Sequence, residues 1–403
     1  MRVLFLTHRL PYPPNKGDRL RSLHFVRTLS ATTELEVVSL AHDDEELIQA
    51  DELQRLFPVR VTAVRTAPAR NYLRAAAALA GTRPLTHCLL DAPGLPAVLR
   101  DIARDRPPDV VLAFCSSMAR FALEPPLNGF PLVLDFIDID SFKWAALART
   151  TRWPMRWIYR REAKYLGRFE AHAARRAVSS IVVNERERDA LVQIAPESDV
   201  HVVGLGVDLG GLRPKTAPTE EPRVVFCGVM NYKPNVDGVL WFVREVWPLI
   251  VARRPEAKFI VVGSSPTESI RRLASEVDGI EVTGTVPDVR EYLWGAAVSV
   301  APLITARGLQ NKVLEALAAG LPTVITPEVL EGLPKDVHAG CRVAASADTF
   351  ANEIIRLLAV SASDRRALAE KASLDSLSWD MQMAPLRRIL LNGIERATMD
   401  GRS

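Results

Sequence analysis

Short runs of β-branched and apolar residues, separated by helical or loop-like segments, repeat through most of this chain. In the first half these runs are Val3 to Leu6, Glu36 to Leu40, Val59 to Val64, Val110 to Phe114, Leu132 to Phe136 and Ser180 to Val183. Regular alternation of strand-like and helical segments predicts parallel strands whose two faces are covered by helices. The pattern therefore constrains the chain to an α/β fold with a doubly wound parallel sheet.

A second series of the same kind follows and indicates a second domain. Its runs are Val224 to Cys227, Lys258 to Val262, Ile280 to Thr283, Val298 to Pro302 and Pro322 to Thr326. At 403 residues the chain is also too long for one ordinary hydrophobic core. Val200 to Val207 closes the first series, and Arg213 to Pro222, with three prolines and mixed charge, is typical of a linker. We therefore expect two Rossmann-like domains that face a cleft, residues 1–212 and 213–376, followed by a helical segment, residues 377–403.

The overall composition is that of an ordinary globular protein. Hydrophobic residues make up 48% of the chain and charged residues 25%, with a formal net charge of +3. Because this charge is small, no nucleic-acid partner is expected. The four cysteines lie far apart and form no Cys-x-x-Cys pair, so neither a disulfide framework nor a zinc site is expected. A reducing cytoplasm is the expected location.

The apolar runs are too short to cross a membrane. Met1 to Thr7 could be mistaken for the start of a signal peptide, but Pro11, Pro13 and Pro14 interrupt the apolar stretch, so a first β-strand is predicted instead. The longest apolar stretch, Ala75 to Ala80, is brief and rich in alanine. Any membrane contact is therefore expected to be peripheral, at the inner face of the cell membrane.

The stretch from Gly284 to Thr326 carries the strongest signal for a ligand site. Val298 to Pro302 is predicted as a strand, Ile304 to Asn311 as a loop and Lys312 to Ala319 as a helix. Loops that follow parallel strands are where α/β sheets bind their ligands. Glu315 falls in the predicted first helical turn, where a carboxylate either faces a ligand hydroxyl or simply complements the helix dipole. Both interpretations of Glu315 stay open on the residues alone.

Two loops in the first half also have the composition of a ligand site. Lys16, Gly17 and Asp18 follow the first strand, and backbone N–H groups near a glycine there can approach a phosphate, although one glycine also suits a simple turn. Asp138 and Asp140 alternate at the end of the fifth run and are expected on one side of the strand. There they either orient a ligand hydroxyl and accept its proton, or Asp140 caps the following helix.

A basic and aromatic segment spans Trp144 to Arg176. Nine lysines and arginines stand there against two glutamates, interleaved with tryptophan and tyrosine. We predict a helix whose Arg156, Arg160 and Arg161 face an anionic membrane surface or a lipid diphosphate. The alternative is an exposed helix with a packed aromatic stripe.

Several of these stretches resemble the retaining, two-domain glycosyltransferases of the GT-B fold, family 4. The strand ending at Pro302, the sequence Leu314-Glu315-Ala316 and the strand from Gly320 to Val324 have the layout of their donor site. The segment from Arg307 to Glu315 is similar, more narrowly, to bacterial sugar transferases associated with PEP-CTERM/exosortase exopolysaccharide loci. Further similar segments are Asn15 to Ser22, Asp135 to Trp144 and Phe226 to Asn235.

The resemblance implies roles for individual residues in binding a UDP- or GDP-sugar. Glu315 is expected to accept hydrogen bonds from the ribose, Lys233 to bind the diphosphate, and main-chain groups around Val286 to bind the base. The implied nucleotide-sugar site comprises Lys16, Gly17, Gly228, Lys233, Val286, Asn311, Lys312 and Glu315.

Three positions depart from the family pattern. Ile137 stands where many members have a histidine, Val229 where they have an arginine, and Arg307 where they have a glutamate. Arg307 and Lys312 are the cations available to replace the missing arginine, so both are expected to act in catalysis together with Asp138.

The implied function is that of a retaining, hexosyl-type glycosyltransferase acting on a lipid-linked or oligosaccharide acceptor in exopolysaccharide synthesis. Neither a cofactor nor a metal is implied, because such enzymes stabilise the leaving diphosphate with cations and helix N-termini. The last helix is expected to cross back onto the first domain. The departures at Ile137, Val229 and Arg307 favour an alternative, a non-catalytic accessory protein that binds sugar nucleotides. An NAD-dependent oxidoreductase is disfavoured because no Gly-x-Gly-x-x-Gly follows a predicted strand.

Overall fold

The computed structural model describes residues 1–14, 17–215, 217, 219–306 and 309–400. The chain divides into two compact units, one formed by Met1–Leu205 with the segment from Gln382 onward, the other by Gly206–Met381. Val207 and Leu212, which the sequence assigns to the first domain, are buried in the core of the second unit. The predicted site residues Lys16 and Arg307 lie outside the described residues.

A seven-stranded parallel sheet forms the centre of the first unit. Its strands are β1 (Arg2–Thr7), β2 (Glu34–Ala41), β3 (Arg60–Arg65), β4 (Val110–Phe114), β5 (Leu132–Ile137), β6 (Ser179–Val182) and β7 (Val200–Val202). Their order in the sheet is β3-β2-β1-β4-β5-β6-β7. Strand direction is parallel at every pairing. The central strands are buried on both faces, as their near-continuous apolar sequences predict.

Helices connect these strands. They are α1 (Gly17–Ser30), α2 (Asp44–Leu56), α3 (Pro68–Ala78), α4 (Leu85–Leu89), α5 (Leu95–Asp105), α6 (Ser116–Leu123), α7 (Asp140–Thr150), α8 (Met155–Arg176) and α9 (Glu185–Ile194). The segment predicted as one basic helix is therefore two, α7 and α8. Pro154 explains the break, because proline lacks the N–H that would continue a helix but is tolerated where one begins.

A six-stranded parallel sheet forms the centre of the second unit. Its strands are β8 (Arg223–Cys227), β9 (Lys258–Val262), β10 (Ile280–Gly284), β11 (Val298–Ala301), β12 (Thr323–Ile325) and β13 (Cys341–Val343). Their order is β10-β9-β8-β11-β12-β13. The predicted fold class, two doubly wound parallel sheets, is thus confirmed in each unit.

The helices of the second unit lie before β8, in the connections between its strands and after β13. They are α10 (Leu209–Leu212), α11 (Lys233–Trp241), α12 (Trp247–Val251), α13 (Glu268–Glu276), α14 (Arg290–Trp294), α15 (Asn311–Ala318), α16 (Pro327–Leu330), α17 (Ala347–Ala359) and α18 (Ala362–Ala369). A π-helical turn, Phe242–Val246, joins α11 to α12, and 3₁₀ turns occupy Lys335–Gly340 and Asp375–Leu377.

The last two helices carry the chain out of the second unit. α19 (Trp379–Met383) is followed by α20 (Leu386–Asp400), which packs against β4, β5 and β6 of the first unit. Gly393 makes this contact close, because a Cβ added there would lie 2.8 Å from Cγ2 of Val178. Among the described residues, none of the helices combines the length and apolar content that crossing a bilayer would require.

Candidate functional site

Several predicted residues meet at the switch point of the second sheet. β8 and β11 are neighbours in the sheet although they are not consecutive in the chain. Such switch points, at the carboxyl ends of the strands, are where α/β sheets bind ligands. Gly228 follows β8 directly, and the loop after β11 leads into α15, which carries Lys312 and Glu315. These residues lie at one corner of the sheet, which we call the β8 corner.

The main chain at the β8 corner is packed so tightly that a side chain at Gly228 would collide with its neighbours. A Cβ added to Gly228 would lie 2.7 Å from Nδ2 of Asn235 and 3.3 Å from Nζ of Lys312. Gly263, which follows β9, has a φ of +151°, and a Cβ there would lie 1.6 Å from the carbonyl oxygen of Gly228. Glycine at both positions therefore lets the backbone and the Lys312 ammonium approach each other closely.

Asn235 fixes both the loop after β8 and the Lys312 side chain. Its buried amide donates from Nδ2 to the carbonyl oxygen of Val229 at 2.9 Å, and its Oδ1 accepts from Nζ of Lys312 at 2.6 Å. The same Nζ lies 4.5 Å from the centroid of the Phe226 ring, a cation–π contact. The Lys312 ammonium is thus held in place by the protein itself, which is the preorganisation that stabilises developing negative charge.

Lys312 and Glu315 are ionisable groups that are half-buried at the β8 corner. Burial lowers the pKa of Lys312 to about 8, against the opposing effects of Cys227 and Glu315. Burial likewise raises the pKa of Glu315, against the opposing effect of Lys312, and no described residue donates a hydrogen bond to its carboxylate. An anion near Lys312 and hydroxyl donors near Glu315 would restore the charged forms of both groups. The β8 corner is therefore suited to a ligand that carries phosphate and hydroxyl groups.

The structure weakens the purely helical explanation of Glu315. α15 begins at Asn311, one residue before the predicted start, so Glu315 lies in its second turn. The stabilisation that a helix dipole gives to a carboxylate falls off within the first turn. The dipole therefore does not account for Glu315, and the ligand-facing interpretation stays a prediction.

The other predicted residues of this site have different environments. Asn311 begins α15, and its buried Oδ1 has no hydrogen-bond donor among the described residues. Lys233 begins α11 with 82% of its side chain exposed, and its Nζ lies 2.6 Å from a carboxylate oxygen of Asp237. Val286 follows β10 and is half-buried against the core. Asn311 thus offers an unpaired acceptor, whereas Lys233 already has a carboxylate partner.

The first unit has its own switch point, between β1 and β4, and a cavity of about 360 Å³ lies there. Its walls include His8, Gly17, Cys115, Ile137, Asp138 and Asp140. His8 directly follows β1, Cys115 directly follows β4, and Gly17 begins α1. We call this space the β4 cavity. It brings together three predicted residues, Gly17, Asp138 and Asp140.

Two non-glycine residues of the β4 cavity have positive φ angles. They are Cys115 at 69° and Ile137 at 64°. Such conformations cost about 1–3 kcal/mol each, are least tolerated by β-branched residues and cluster at binding and catalytic sites. Asp135 holds both turns, because its carbonyl oxygen accepts from the Cys115 N–H at 2.7 Å and its Oδ1 accepts from the Ile137 N–H at 3.1 Å.

Asp135 is in turn held by a buried ion pair. Nε of Arg21 donates to Oδ2 of Asp135 at 2.7 Å, and both side chains are 0% exposed. A second guanidinium nitrogen donates to the carbonyl oxygens of Val203 and Gly204 at 2.8 and 3.0 Å. This network joins α1, β5 and the segment after β7 beneath the cavity.

Asp138 and Asp140 converge on a single cation. Nζ of Lys143 lies 2.8 Å from Oδ2 of Asp138 and 3.1 Å from Oδ1 of Asp140. The structure differs from the predicted strand geometry, because β5 ends at Ile137 and α7 begins at Asp140, with Ile139 as N-cap. Although burial lowers it, the pKa of Lys143 stays above its ordinary value because of these two carboxylates. Asp138 and Asp140 thus lie on the same side of the β4 cavity because both pair with Lys143, and not because they alternate along a strand.

The three arginines predicted on the membrane or acceptor side do not share one environment. Arg156 and Arg160 are exposed on α8, as expected. Arg161 is buried, and its guanidinium donates to four carbonyl oxygens in the segment 78–83. Arg161 therefore secures the turn after α3, and its assignment to a membrane-facing surface is corrected.

A family comparison bears on the β8 corner. The model of the family described as glycosyl transferases group 1 matches residues 221–360, which contain Gly228, Lys312 and Glu315. This match covers 140 of the 403 residues and lies within the second unit. A 44.6 kDa protein in the cps region of Klebsiella pneumoniae, itself uncharacterized, is 23% identical over 140 residues. This match covers 33% of our chain and 36% of that protein, so the chain spans about a third of that relative's length.

Solved structures resemble the whole chain in fold. HepE of Anabaena, solved in complex with UDP and also with UDP-glucose, is 15% identical over 97% of our chain and 100% of its own, with a TM-score of 0.63. Sucrose-phosphate synthase of Thermosynechococcus elongatus is 15% identical over 97% and 99% of the two chains, with a TM-score of 0.67. At such identities the likeness establishes the fold, two parallel-sheet α/β units of the GT-B type.

Sequence reasoning missed several residues around the β8 corner and the β4 cavity. Asn235 and Phe226 position Lys312 but were recognised only as parts of a similar segment. His8, Cys115 and Lys143 were not singled out at all. A usable signal was present for His8 and Cys115, since both directly follow a predicted strand, where parallel sheets carry functional groups.

Proposed function

We propose that the protein is a retaining glycosyltransferase of family 4. It transfers a hexose-type sugar from a nucleoside diphosphate to a growing, lipid-linked exopolysaccharide. The observation that carries this proposal is the β8 corner, where a fixed ammonium and a half-buried carboxylate, without a hydrogen-bond donor among the described residues, lie within the matched segment 221–360. The complexes of HepE with UDP and UDP-glucose support a nucleotide-sugar donor. The cps-region relative and the resemblance to exosortase-associated transferases support an exopolysaccharide acceptor.

The donor is oriented by residues with distinct chemistry. Lys312 neutralises the diphosphate, and the N–H groups at the start of α15 add to the positive field. Glu315 accepts hydrogen bonds from the ribose, and Oδ1 of Asn311 accepts from a donor hydroxyl. Gly228 lets the diphosphate approach the backbone. These groups supply charge without a metal ion.

The proposed chemistry is a front-face substitution. An acceptor hydroxyl attacks the anomeric carbon, the bond to the diphosphate oxygen breaks, and the hydroxyl proton passes to the departing diphosphate. The protein contributes mainly positioning and charge stabilisation. Asp138 and Asp140, in the β4 cavity, orient the acceptor hydroxyl.

A panel of nucleotide sugars tests this function directly. We expect one UDP- or GDP-sugar to raise the unfolding temperature, since a ligand that binds the folded state stabilises it. The same donor, labelled in the sugar, should then be transferred to a lipid-linked oligosaccharide or slowly hydrolysed. Stabilisation without any transfer or hydrolysis would favour a non-catalytic accessory protein, the alternative suggested by Ile137, Val229 and Arg307.

Replacing Glu315 with alanine tests the ribose contact. We expect donor binding to weaken by about 1–3 kcal/mol, because hydrogen bonds to a charged group are lost. Isothermal titration calorimetry with the stabilising nucleotide sugar measures this change. Glu328→Ala, at an exposed glutamate in the first turn of α16, is the matched control and should bind as the parent does. Equal affinity in Glu315→Ala and the control would remove Glu315 from the site.

The lipid-linked acceptor implies a surface on the first unit that contacts an anionic membrane. Trp153, two residues before α8, is 81% exposed, and Trp157 on α8 is half exposed beside Arg156 and Arg160. Aromatic rings at the headgroup level and cations facing anionic lipid are the usual components of a peripheral contact. Arg161 takes no part, because it is buried and its Nε and one terminal nitrogen donate to main-chain carbonyl oxygens of the protein.

A vesicle-binding experiment tests this surface. We expect Arg156→Gln with Arg160→Gln to weaken binding to anionic vesicles by about 2 kcal/mol in total, at about 1 kcal/mol per charge. Co-sedimentation at low salt measures the loss. Arg271→Gln with Arg272→Gln, a pair of exposed arginines in the second unit, removes the same charge elsewhere and should bind normally. Equal losses in the two double variants would assign the effect to net charge alone.

A further inference from the structure

Cys115 is in an unusual place for a buried cysteine. It connects the end of β4 to α6, where it is the N-cap, with φ of 69° and ψ of 160°. Its side chain lines the β4 cavity although the residue as a whole is only 8% exposed. A strained residue between a strand and a helix presents its side chain at the carboxyl edge of the sheet, as nucleophiles do in several enzyme folds.

Two other side chains complete a relay with this thiol. Nδ1 of His8 lies 3.4 Å from Sγ of Cys115, and Nε2 of His8 lies 3.5 Å from Oδ2 of Asp18. The Ser117 hydroxyl adds a contact of 2.8 Å to Sγ. A nucleophile, a base within reach and a carboxylate that orients the base form the arrangement that activates side chains for covalent chemistry.

The charges of His8 and Asp18 also suit a reactive thiol, because His8 is positive and Asp18 is negative near neutral pH. Burial lowers the pKa of His8, yet Cys115 and Asp18 outweigh it and raise that pKa to about 10. Burial raises the pKa of Asp18, yet His8, with Arg9, outweighs it and lowers that pKa to about 2. An imidazolium next to a cysteine, together with a helix N-terminus, favours the thiolate, which is the nucleophilic form.

We propose that Cys115 is a covalent modification site that reacts with low-molecular-weight disulfides entering the β4 cavity. The proton that His8 and Cys115 share resides on Nδ1 of His8, which stays an imidazolium, and the thiolate attacks one sulfur of the incoming disulfide. A protein–ligand S–S bond forms, the S–S bond of the reagent breaks, and the second half leaves as a thiolate that takes a proton from water. Cys115 is oxidised and one half of the reagent is reduced, so no further reactant is needed.

Modification would place the added group against the wall that carries Asp138 and Lys143. An external thiol would remove it by the reverse exchange. The site is therefore reversible, and its occupancy follows the ratio of disulfide to thiol around the protein. This inference does not require that the protein transfers sugars.

The other three cysteines of the chain provide internal standards. Burial, with the nearby Glu315, raises the pKa of Cys227 to about 12, and burial raises that of Cys341 to about 12. Cys88 is 1% exposed. None of these three has the His8 and Asp18 pair beside it, so all are expected to react slowly in the folded protein.

The test uses the full chain and hydroxyethyl disulfide, a small neutral reagent. After timed incubation near neutral pH, the remaining thiols are alkylated, and peptide mass spectrometry measures the modified fraction of each cysteine. We expect Cys115 to react at least about tenfold faster than each of the other three. His8→Asn should slow Cys115 by about tenfold or more, and Asp18→Asn should slow it in the same direction. His172→Asn, at an exposed helical histidine, is the matched control and should leave the rate unchanged.

Two results would overturn the proposal. One is a Cys115 rate no faster than that of Cys227, Cys341 or Cys88 in the parent protein. The other is an unchanged Cys115 rate in both His8→Asn and Asp18→Asn, each with the parent's unfolding temperature. Because Asp18→Asn leaves the His8 ring in place, it keeps the test decisive if His8→Asn fails to fold. The experiment measures thiol modification and not sugar transfer. Its failure would therefore leave the proposed function untouched, and failure of the proposed function would leave this inference untouched.

Discussion

Replacing Lys312 with methionine is expected to slow sugar transfer by about a hundredfold or more while leaving the fold intact. Nζ of Lys312 is fixed by Asn235 and the Phe226 ring at the β8 corner, so its charge is already in place when the diphosphate leaves. Removing one preorganised charge from a poorly solvated site costs far more than removing one from the surface. Turnover of labelled donor measures the effect.

Lys233→Met is the matched control for that substitution. Lys233 follows β8 in the sequence, at the start of α11, but its side chain is exposed and paired with Asp237. We therefore expect a much smaller loss than for Lys312→Met, which revises the sequence-based expectation that the two lysines share the task. Normal turnover in Lys312→Met would contradict the assignment and leave backbone N–H groups as the phosphate site.

The pH dependence of transfer shows whether the positive charge of Lys312, and not only the shape of its side chain, is needed. Because a lysine is charged below its pKa, and that of Lys312 is lowered to about 8, donor binding should weaken as the pH rises through about 8. Lys312→Arg keeps its charge at every such pH and should remove this decline, even if its absolute rate is lower. A parent profile that does not fall between about pH 7 and about pH 9 would contradict the lowered pKa.

Replacing Asp135 with alanine is expected to destabilise the first unit by about 3–5 kcal/mol. The substitution leaves the Arg21 guanidinium buried without its carboxylate, and it frees the Ile137 turn at the β4 cavity. Since the two units need not unfold together, hydrogen exchange of peptides from α1 and β5 measures the change locally. Peptides of the second unit should keep their protection.

Two further variants show how much of this loss of stability comes from the buried ion pair. Asp138→Ala removes a partly exposed carboxylate three residues away and should cost below about 1 kcal/mol. Arg21→Met combined with Asp135→Leu removes both charges and should recover much of the stability, because an apolar pair avoids the desolvation cost. If the α1 and β5 peptides were as well protected from hydrogen exchange in Asp135→Ala as in Asp138→Ala, the ion pair would add nothing to the stability of the fold.

Local sequence pattern was sufficient for most of the fold. The strands β1, β4 and β5 were predicted within one residue of their observed ends, because buried parallel strands have continuous apolar sequences. The helix from Trp144 to Arg176 was predicted as one element although Pro154 divides it, since the composition of the segment outweighed a single residue.

Contacts between distant segments were beyond the reach of the pattern. Arg21 and Asp135 are 114 positions apart, and His8 and Cys115 are 107 positions apart. Only the strand order, which places β1 beside β4, brings His8 and Cys115 together. Arg161 was misassigned for the same reason, because its partners in the segment 78–83 are invisible to helical periodicity.

The path of the chain through the two units has a consequence for synthesis on the ribosome. The second unit is contiguous, Gly206–Met381, whereas the first is completed only by the segment from Gln382 onward. While the second unit is being translated, the β4, β5 and β6 surface that α20 covers stays open to water and to chaperones. The first unit therefore begins to fold first and is completed last, and nascent chains that stop after Met381 would release it with an exposed apolar face.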